Sequence, residues 1–468
     1  MEPVSVTVVG HSRSGKSSLL GAILYALGSV TTAELDRLER EGGEKFAAIW
    51  DSNPFEKEQK RTIDVHVKGC SSKHFQWTFI DVPGDRKQVL NMISGIACAD
   101  CILLVLDATP GVFEANMEDA THSQTKEHLL LTKAFAIKQV IVVVNKMDAC
   151  HYDQGRFDTI YASIMTQMKR LHLNSEQTRF IPASAVQGQN VRVACADRMP
   201  WYTGSTILEA MDSLTSVKRH PFNPLRLPIL VSGIGAVVCG KIESGTLHTG
   251  QEVVLEPGGK RTIVKSVELF SKTVNAARAG EWVGVRLSGL SIKEARRGHV
   301  LHCNMNDRGD NKLHVTRLTA QVSVIKLDGI APGMCGTLAV HTVHVPVQCS
   351  YILSRLDKKT GHVDQKKPES LLDREIGEVE FVSLRPVSLE AHKDFASLGR
   401  FVLLDHNHVI AWGVIKSVVE VTNAARSDCL SNSVAYDVSV GSRKERYQGT
   451  LNINPNSCQN RMPDVLKD

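Results

Sequence analysis

Runs of apolar, mostly β-branched residues alternate with amphipathic stretches through residues 1–215. The runs predict buried strands and the stretches between them predict helices, an alternation typical of a mostly parallel α/β sheet with helices on both faces. Ligands of such sheets bind at the carboxyl ends of the strands, so the residues after each run are the candidates for a site. The predicted strands are 4–9, 74–80, 102–106, 140–144 and 179–181.

From residue 225 the pattern changes to short alternating strands separated by glycine-containing turns. Regular turns of this kind predict two small antiparallel β-barrels, one over 225–311 and one over 312–420. The basic, proline-containing segment 216–224 has no helical period and is interpreted as a linker. Residues 421–468, rich in Ser, Asn and Asp, predict a flexible tail. The expected fold is therefore an α/β domain followed by two β-barrels.

The composition is that of an ordinary globular chain. Of its 468 residues, 42% are hydrophobic and 22% are charged, which excludes wholesale disorder. No apolar stretch reaches the ~18 residues of a membrane span and the first strand begins near the start, so we expect a cytoplasmic protein with no leader and no membrane partner. The net charge of +5 permits a nucleic-acid partner without requiring one. The one C-x-x-C pair, Cys98 and Cys101, is interpreted as buried structural thiols.

The sequence G-H-S-R-S-G-K-S at 10–17 follows the first predicted strand and precedes a helix-like stretch. This is the context that a phosphate-binding P-loop requires. Its glycines allow a tight turn in which backbone N–H groups face a β-phosphate, and the helix presents its positive end to the same anion. Lys16 is expected to reach the β- and γ-phosphates, and Ser17 to hold Mg²⁺. The candidate phosphate-binding residues are Gly10, Ser14, Gly15, Lys16, Ser17 and Ser18.

The second predicted strand is followed by D-V-P-G at 81–84. A carboxylate at a strand end can hold Mg²⁺ through water, which is the role expected of Asp81. Gly84 has no side chain, so its backbone N–H can approach a γ-phosphate closely. The tetrapeptide is a weak signal alone, and its place at a strand end after the P-loop makes it a candidate metal and phosphate site.

Two further motifs follow the last two predicted strands, N-K-M-D at 145–148 and Ser-Ala at 184–185. The carboxylate of Asp148 can accept from two N–H donors on the guanine edge that adenine lacks, and Asn145 can brace the loop. A backbone N–H at 184–185 can bond the guanine oxygen. Four motifs in this order predict a domain that binds GTP and GDP. The candidate guanine-binding residues are Asn145, Lys146, Asp148, Ser184 and Ala185.

Several stretches, spread over the three predicted domains, resemble eukaryotic elongation factor 1-alpha. The resemblance implies a GTPase that binds aminoacyl-tRNA as its GTP and Mg²⁺ complex and delivers it to the ribosomal A site. It also implies a guanine-nucleotide exchange factor as a partner, and a tRNA surface formed by both barrels with the nucleotide domain. The stretches that carry it are Q-T-K-E-H at 124–128, N-K-M-D at 145–148, M-P-W at 199–201, I-K-E-A-R-R-G at 292–298 and L-G-R-F at 398–401.

The resemblance assigns roles to two charge-rich stretches. E-K-E-Q-K-R-T-I at 56–63 matches the first switch segment, where Thr62 takes the place of the threonine that contacts Mg²⁺ and the γ-phosphate. By composition alone this stretch is typical of a solvated surface. The lysine-rich segment 358–367 fits a loop that contacts tRNA phosphates, and a solvated loop explains it equally well.

The chain departs from the family where hydrolysis is controlled. Asp85 stands where the family has a histidine that orients the attacking water. Ser-Arg at 12–13 replaces Val-Asp, and Lys-Arg at 60–61 replaces Gly-Ile, so the apolar gate beside that histidine is lost as well. We expect Asp85 and Thr62 to occupy the catalytic positions and hydrolysis to be slow.

Two other functions remain open. The first is a GTP-binding adaptor that hydrolyses poorly and acts through protein partners, which the changed catalytic positions favour. The second is a GTPase that carries a release or rescue factor, which the stretches at 292–298 and 398–401 disfavour. Arg13 and Arg61 also offer a rearranged catalytic device, since either cation can offset charge near the phosphates.

Overall fold

The computed structural model describes residues 1–41, 44–50, 62–118, 123–173, 177–233, 237–291, 294–303, 315–325 and 328–420. Most of the predicted first switch segment (56–61), two residues of a resemblance stretch (292–293) and the predicted tail (421–468) lie outside these ranges. Within them the chain forms an α/β domain and two all-β units. The predicted fold class is confirmed.

The α/β domain is built on a six-stranded sheet with the order β2-β3-β1-β4-β5-β6. All neighbours pair in parallel except β2 and β3. The five predicted strands are present, and β2 is an addition because its half-buried residues carry little apolar alternation. The strands are β1 Glu2–Val9, β2 His66–Ser71, β3 Phe75–Asp81, β4 Cys101–Asp107, β5 Gln139–Asn145 and β6 Arg179–Pro182.

Helices cover both faces of this sheet. Alternate residues of β4 show the two faces: Leu103 and Val105 belong to the core under α1, whereas Ile102 and Leu104 belong to the core under α3. β4 is therefore apolar on both sides, as a central strand of a parallel sheet requires. The helices are α1 Lys16–Ala26, α2 Thr32–Arg40, α3 Val89–Ala97, α4 Val112–Glu118, α5 Gln124–Ala134, α6 Gln154–Arg170 and α7 Ile207–Asp212.

The first barrel contains a sheet with the order β7-β16-β11-β12-β15-β9-β8, in which β13 also pairs with β12. A separate two-stranded sheet is formed by β10 and β14. Inward-facing Val253, Val264 and Val285 alternate with exposed residues and form part of its core. Its strands are β7 Arg226–Pro228, β8 Val231–Gly233, β9 Val237–Lys241, β10 Thr246–His248, β11 Glu252–Glu256, β12 Lys260–Leu269, β13 Lys272–Val274, β14 Ala276–Arg278, β15 Trp282–Leu287 and β16 Val300–His302.

The second barrel follows the order β18-β22-β23-β17-β21-β19-β20, and a further pairing of β18 with β19 closes the ring. Phe381 and Phe401 meet edge to face in its core, with ring centroids 6.4 Å apart. The lysine-rich segment 358–367 lies at β20, an exposed edge strand. The strands are β17 Val315–Val324, β18 Cys335–Val340, β19 Val343–Leu356, β20 Val363–Lys366, β21 Ile376–Val387, β22 Arg400–Asp405 and β23 His408–Glu420.

A buried cluster of charged residues joins the three units. Asp100, between α3 and β4, accepts from Arg219 Nη2 at 2.6 Å and from Lys241 Nζ at 2.8 Å. Burial raises the pKa of Asp100, but the two cations outweigh burial and lower it. Glu243 of the first barrel accepts from His341 Nε2 of the second at 3.2 Å. The cluster therefore holds both barrels against the α/β domain.

We expect this junction to lose stability in alkaline solution. Burial lowers the pKa of His341, but the Cys98 thiol and the Glu243 carboxylate outweigh burial and raise it to about 10. Because this folded-state pKa exceeds the ordinary histidine value of 6.5, the stabilisation is complete below pH 6.5 and is lost as the pH rises to 10. The loss is on the order of a few kcal/mol. In thermal unfolding over this range the wild type should lose more stability than His341→Gln; equal losses would contradict the assignment.

The C-x-x-C pair has a structural setting. Cys98 and Cys101 are 1% and 0% exposed, and neither is in a disulfide. Burial raises the pKa of Cys101, which makes its thiolate unfavourable. Cys98 Sγ lies 4.0 Å from His341 Nε2 at the three-unit junction. Both thiols thus belong to the packed interior, as the sequence indicated.

Candidate functional site

The loop at 10–15 connects β1 to α1 in a conformation that needs glycine at two points. Gly15 has φ +89°, and a Cβ there would lie 2.4 Å from Asn145 Nδ2. A Cβ at Gly10 would lie 2.3 Å from the Val105 carbonyl oxygen. The loop can therefore wrap closely against the carboxyl ends of β4 and β5. Helix α1 begins directly after it, so the unpaired N–H groups of its first turn point at the loop.

Lys16 lies across this loop. Its Nζ donates to the carbonyl oxygens of Gly10 at 3.0 Å and His11 at 2.9 Å, and the residue is 6% exposed. Burial lowers the pKa of Lys16 to about 8, against the attraction of Asp81. An ammonium held in this way is still mostly protonated at neutral pH, and an anion bound in the loop would stabilise its charge.

Three oxygen-bearing side chains converge beside Lys16. Ser17 Oγ donates to Asp81 Oδ2 at 2.7 Å, and Thr62 Oγ1 lies 3.4 Å from both of these oxygens. They come from the start of α1, the segment before β2 and the end of β3. Two hydroxyls and a carboxylate are the oxygen ligands that Mg²⁺ accepts alongside phosphate and water. These residues fit the predicted metal site.

No cluster of three or more His, Cys, Asp or Glu side chains in the described part of the chain has the geometry of a metal site. A metal held by Ser17, Thr62 and Asp81 would thus depend on ligands from a nucleotide, as Mg²⁺ sites on phosphates commonly do.

Asn145 ties the two halves of the site together. Its Nδ2 donates to the Ser14 carbonyl oxygen at 2.9 Å, and its Oδ1 accepts from the Ala185 backbone N–H at 2.9 Å. Lys146, with φ +63°, donates to the Arg13 carbonyl oxygen at 2.8 Å. The loops at 145–148 and 184–185 are therefore fixed to the phosphate loop.

Asp107 is a site residue that the sequence analysis missed. Its Oδ2 accepts from Lys146 Nζ at 2.7 Å. Burial raises the pKa of Asp107, but the hydrogen bonds from Lys146 and Thr109 together outweigh burial and lower it. The sequence does contain a signal for Asp107, because this residue directly follows the apolar run 102–106 and so lies at the carboxyl end of a predicted strand.

One cavity of 540 Å³ joins these parts. A cavity of this size suits a ligand as large as a nucleotide. Gly10, Ser14 and Asp81 lie directly behind its wall, bonded to Lys16, Asn145 and Ser17 respectively. The other predicted site residues line it: Gly15, Lys16, Ser17, Ser18, Thr62, Gly84, Asp85, Asn145, Lys146, Asp148, Ser184 and Ala185.

The cavity has one wall that no motif indicated. Leu38, Glu41, Glu44, Ala47 and Ala48, in α2 and the segment after it, also line it. Their types and spacing match no ligand pattern, because this wall is formed where the short helix Ala47–Ile49 after α2 packs against α1.

The D-V-P-G segment closes the phosphate end of the cavity. A Cβ at Gly84 would lie 2.4 Å from Lys16 Nζ and 2.8 Å from the Ser12 nitrogen, so only glycine allows this approach. Asp85 follows it and accepts from the Lys87 backbone N–H at 3.0 Å, which caps a short helix at Arg86–Gln88. Asp85 also lines the cavity beside the phosphate loop.

No histidine among the described residues lines the cavity. His11 and His128 are the buried histidines near Lys16, and burial lowers the pKa of each, for His128 to about 3. His128 Nε2 lies 3.0 Å from Met92 Sδ, on the far side of the loop. Neither imidazole therefore takes the place that Asp85 occupies.

Comparisons with known proteins bear on this arrangement. A sequence model of the elongation factor Tu GTP binding domain matches residues 1–217, one of elongation factor Tu domain 2 matches 235–302, and one described as GTP-eEF1A C-terminal domain-like matches 317–416. Elongation factor 1-alpha of Pyrobaculum aerophilum is 36% identical over 427 residues, which cover 89% of this chain and 94% of that protein. The chain belongs to the elongation factor Tu/1-alpha GTPase family.

Solved structures agree with this membership at the level of fold. The Ski7 GTPase-like domain of S. cerevisiae bound to GTP has a TM-score of 0.72 at 19% identity, covering 88% of this chain and 97% of that one. Elongation factor SelB of Methanococcus maripaludis with the GTP analogue GPPNHP has a TM-score of 0.64 at 20% identity, covering 92% and 81%. All three units of an elongation factor Tu/1-alpha GTPase are thus present.

Membership confirms the predicted family and makes the chain a translational GTPase at that general level. GTP and GDP binding and GTP hydrolysis are family properties. Across the described ranges, no helix has both the length and the apolar character needed to cross a bilayer.

Proposed function

We propose that this elongation factor Tu/1-alpha GTPase binds GTP with Mg²⁺ and, in that state, carries aminoacyl-tRNA to the ribosomal A site in the cytoplasm. The convergence of Ser17, Thr62 and Asp81 at one end of a nucleotide-sized cavity carries the proposal. It brings Thr62 Oγ1 within 3.4 Å of Ser17 Oγ in the P-loop, although the two residues are 45 positions apart.

Each part of the nucleotide has its own residues. Lys16 contacts the β- and γ-phosphates, and the backbone N–H groups of the P-loop, including those of Ser14 and Ser18, surround the phosphates. Asp148 accepts from the guanine edge, and the Ala185 N–H bonds the guanine oxygen. Ser17 and Thr62 hold Mg²⁺, with Asp81 acting through water. The metal, when bound, neutralises charge on the phosphates.

The proposed domains are a nucleotide domain at 1–215, a linker at 216–224, barrels at 225–311 and 312–420, and a tail at 421–468. The two barrels form the tRNA surface together with the nucleotide domain. A ribosome and an exchange factor are the partners that complete the cycle.

Affinity for aminoacyl-tRNA should be at least tenfold higher with a non-hydrolysable GTP analogue than with GDP. Only a ligand that binds the two states differently can shift their balance, and about 1.4 kcal/mol of coupling corresponds to tenfold. Filter binding with aminoacylated and deacylated tRNA measures this. The affinity should also fall steeply with added salt, because tRNA phosphates release counterions.

Equal tRNA affinity in both nucleotide states, or none in either, would contradict tRNA delivery. The adaptor function would then be preferred, because Asp85 in place of histidine predicts a GTPase that remains in its GTP state.

A further inference from the structure

The two loops that carry Asp148 and Ala185 are joined to each other by side chains at the surface of the nucleotide domain. Tyr152, four positions after Asp148, donates its hydroxyl to Gln187 Oε1 at 2.9 Å. Gln187 comes two positions after Ala185. Arg198 Nη1 donates to the same Gln187 oxygen at 3.3 Å and to Tyr152 Oη at 3.2 Å. We call Tyr152, Gln187 and Arg198 the outer clamp, because their side chains join these loops at the solvent-facing side.

Contacts within the first of these loops fix the position of Tyr152. His151 and Tyr152 have φ +55° and +58°, a left-handed conformation that costs free energy in residues with a side chain. The Tyr152 N–H donates to the Met147 carbonyl oxygen at 2.8 Å, and Trp201 Nε1 donates to the Tyr152 carbonyl oxygen at 3.0 Å. These bonds stabilise the conformation. The Tyr152 side chain is therefore presented by a closed turn that also contains Asp148.

The stretch M-P-W at 199–201, which carries part of the resemblance, supports this turn. The Trp201 ring packs against Phe157 of α6, with ring centroids 5.3 Å apart. Arg198 directly precedes the stretch, and its guanidinium carbon lies 5.5 Å from the centroid of the Tyr152 ring. A guanidinium over an aromatic ring is attracted by the negative face of that ring. The anchored stretch thus places Arg198 where it can bond both loops.

A buried connection joins the same two loops at another point. Asn145 Oδ1 accepts from the Ala185 N–H at 2.9 Å, and Asn145 is 1% exposed. Along the chain, Asp148 falls between Asn145 and Tyr152, so its loop is held on both sides of the carboxylate. A loop that is held in this way loses less conformational freedom when a ligand binds.

We propose that Arg198 is a positioning residue for the guanine base, which acts through Tyr152 and Gln187 to keep the Ala185 N–H at a fixed distance from the Asp148 carboxylate. This rests on the proposed binding of guanine nucleotides. In that site the 6-oxo group of the base accepts from Ala185, while its N1–H and 2-amino group donate to Asp148. A base that contacts both loops at once depends on their separation. A base that contacts one loop does not.

The test measures the affinities of three nucleoside diphosphates for full-length variants by calorimetry. Arg198→Ala should weaken GDP binding about fivefold, because two hydrogen bonds that hold the loops together are lost. IDP keeps the 6-oxo group and the N1–H, so its affinity should fall by the same factor. The diphosphate of 2-aminopurine riboside has no 6-oxo group, so its affinity should stay within about twofold of the wild-type value. A general loss of stability would weaken binding of all three equally.

Arg192→Ala is the matched control. It removes the same charge from an exposed arginine six positions earlier, which donates to the Ala26 carbonyl oxygen at 2.7 Å, and it should alter none of the three affinities. Arg198→Lys retains the charge and a donor, so it should recover part of the lost GDP affinity. Equal losses for GDP and the 2-aminopurine nucleotide in Arg198→Ala, or no loss for either, would overturn the positioning role.

Tyr152→Phe keeps the test decisive if Arg198→Ala does not fold. It removes a hydroxyl and no charge, and it should weaken GDP and IDP binding about threefold while sparing the 2-aminopurine nucleotide. Added to Arg198→Ala, it should lower GDP affinity little further, because both changes open the same clamp, and fully additive losses would contradict a shared clamp. Wild-type protein that binds neither GDP nor IDP would overturn the proposed guanine site itself, whereas wild-type binding with unaltered variants overturns only the role of Arg198.

Discussion

Replacing Asp148 by asparagine is expected to weaken GTP binding by roughly 100- to 1,000-fold and to favour xanthine nucleotides. In the proposed site the carboxylate accepts from two N–H donors of guanine, and removing a charged hydrogen-bonding group that becomes buried on binding costs about 2–5 kcal/mol. Xanthine has an oxygen where guanine has its amine, so an asparagine amide can donate to it. Calorimetry with GTP, XTP and ATP on both proteins measures the change.

Asp158→Asn is the matched control for this change. It makes the same chemical substitution on the exposed side of α6, away from the cavity, and should leave all three affinities unaltered. Wild-type protein that binds ATP as tightly as GTP would show that the guanine assignment of residues 145–148 is wrong.

Replacing Asp85 by histidine should raise the ribosome-stimulated rate of GTP hydrolysis by about 100-fold, the low end of what a positioned acid or base contributes. Phosphoryl transfer depends on placing the water and on stabilising negative charge on the phosphate oxygens. The Asp85 carboxylate lines the cavity beside Gly84, where its charge would repel a γ-phosphate bound in the proposed position. A neutral or cationic imidazole orients the water without this repulsion. Single-turnover assays with ribosomes measure the rate.

The variant Asp85→Asn distinguishes the effect of the Asp85 charge from the effect of its helix cap. Asparagine can accept from the Lys87 N–H as Asp85 does, so the cap is retained while the charge is removed. The rate of GTP hydrolysis should rise much less in this variant than in Asp85→His. Arg13→Ala and Arg61→Ala should change the rate little. A wild-type rate equal to that of a standard elongation factor, abolished by Arg13→Ala or Asp85→Ala, would instead establish a rearranged catalytic device.

The nucleotide cavity was predictable because each motif combines two local signals. An apolar run predicts a strand, and the residues after it lie at the edge where parallel strands present their ligands. The loops at 10–17, 81–84, 145–148 and 184–185 all follow such runs, and all border the same cavity. Strand β2 escaped prediction because its one antiparallel pairing leaves it half exposed, which removes the apolar pattern.

By itself the sequence determined the order of the domains, the family, and most of the residues that line the cavity, because these depend on short motifs and on the period of apolar residues. Only the tertiary structure decided how the barrels meet the nucleotide domain. Arg297 of the first barrel bonds Asn91 and Asp64, which are 206 and 233 positions away, and His341 is 98 from Glu243. Such partners are chosen by how separately folded units pack, and no local pattern of polar and apolar residues specifies that packing.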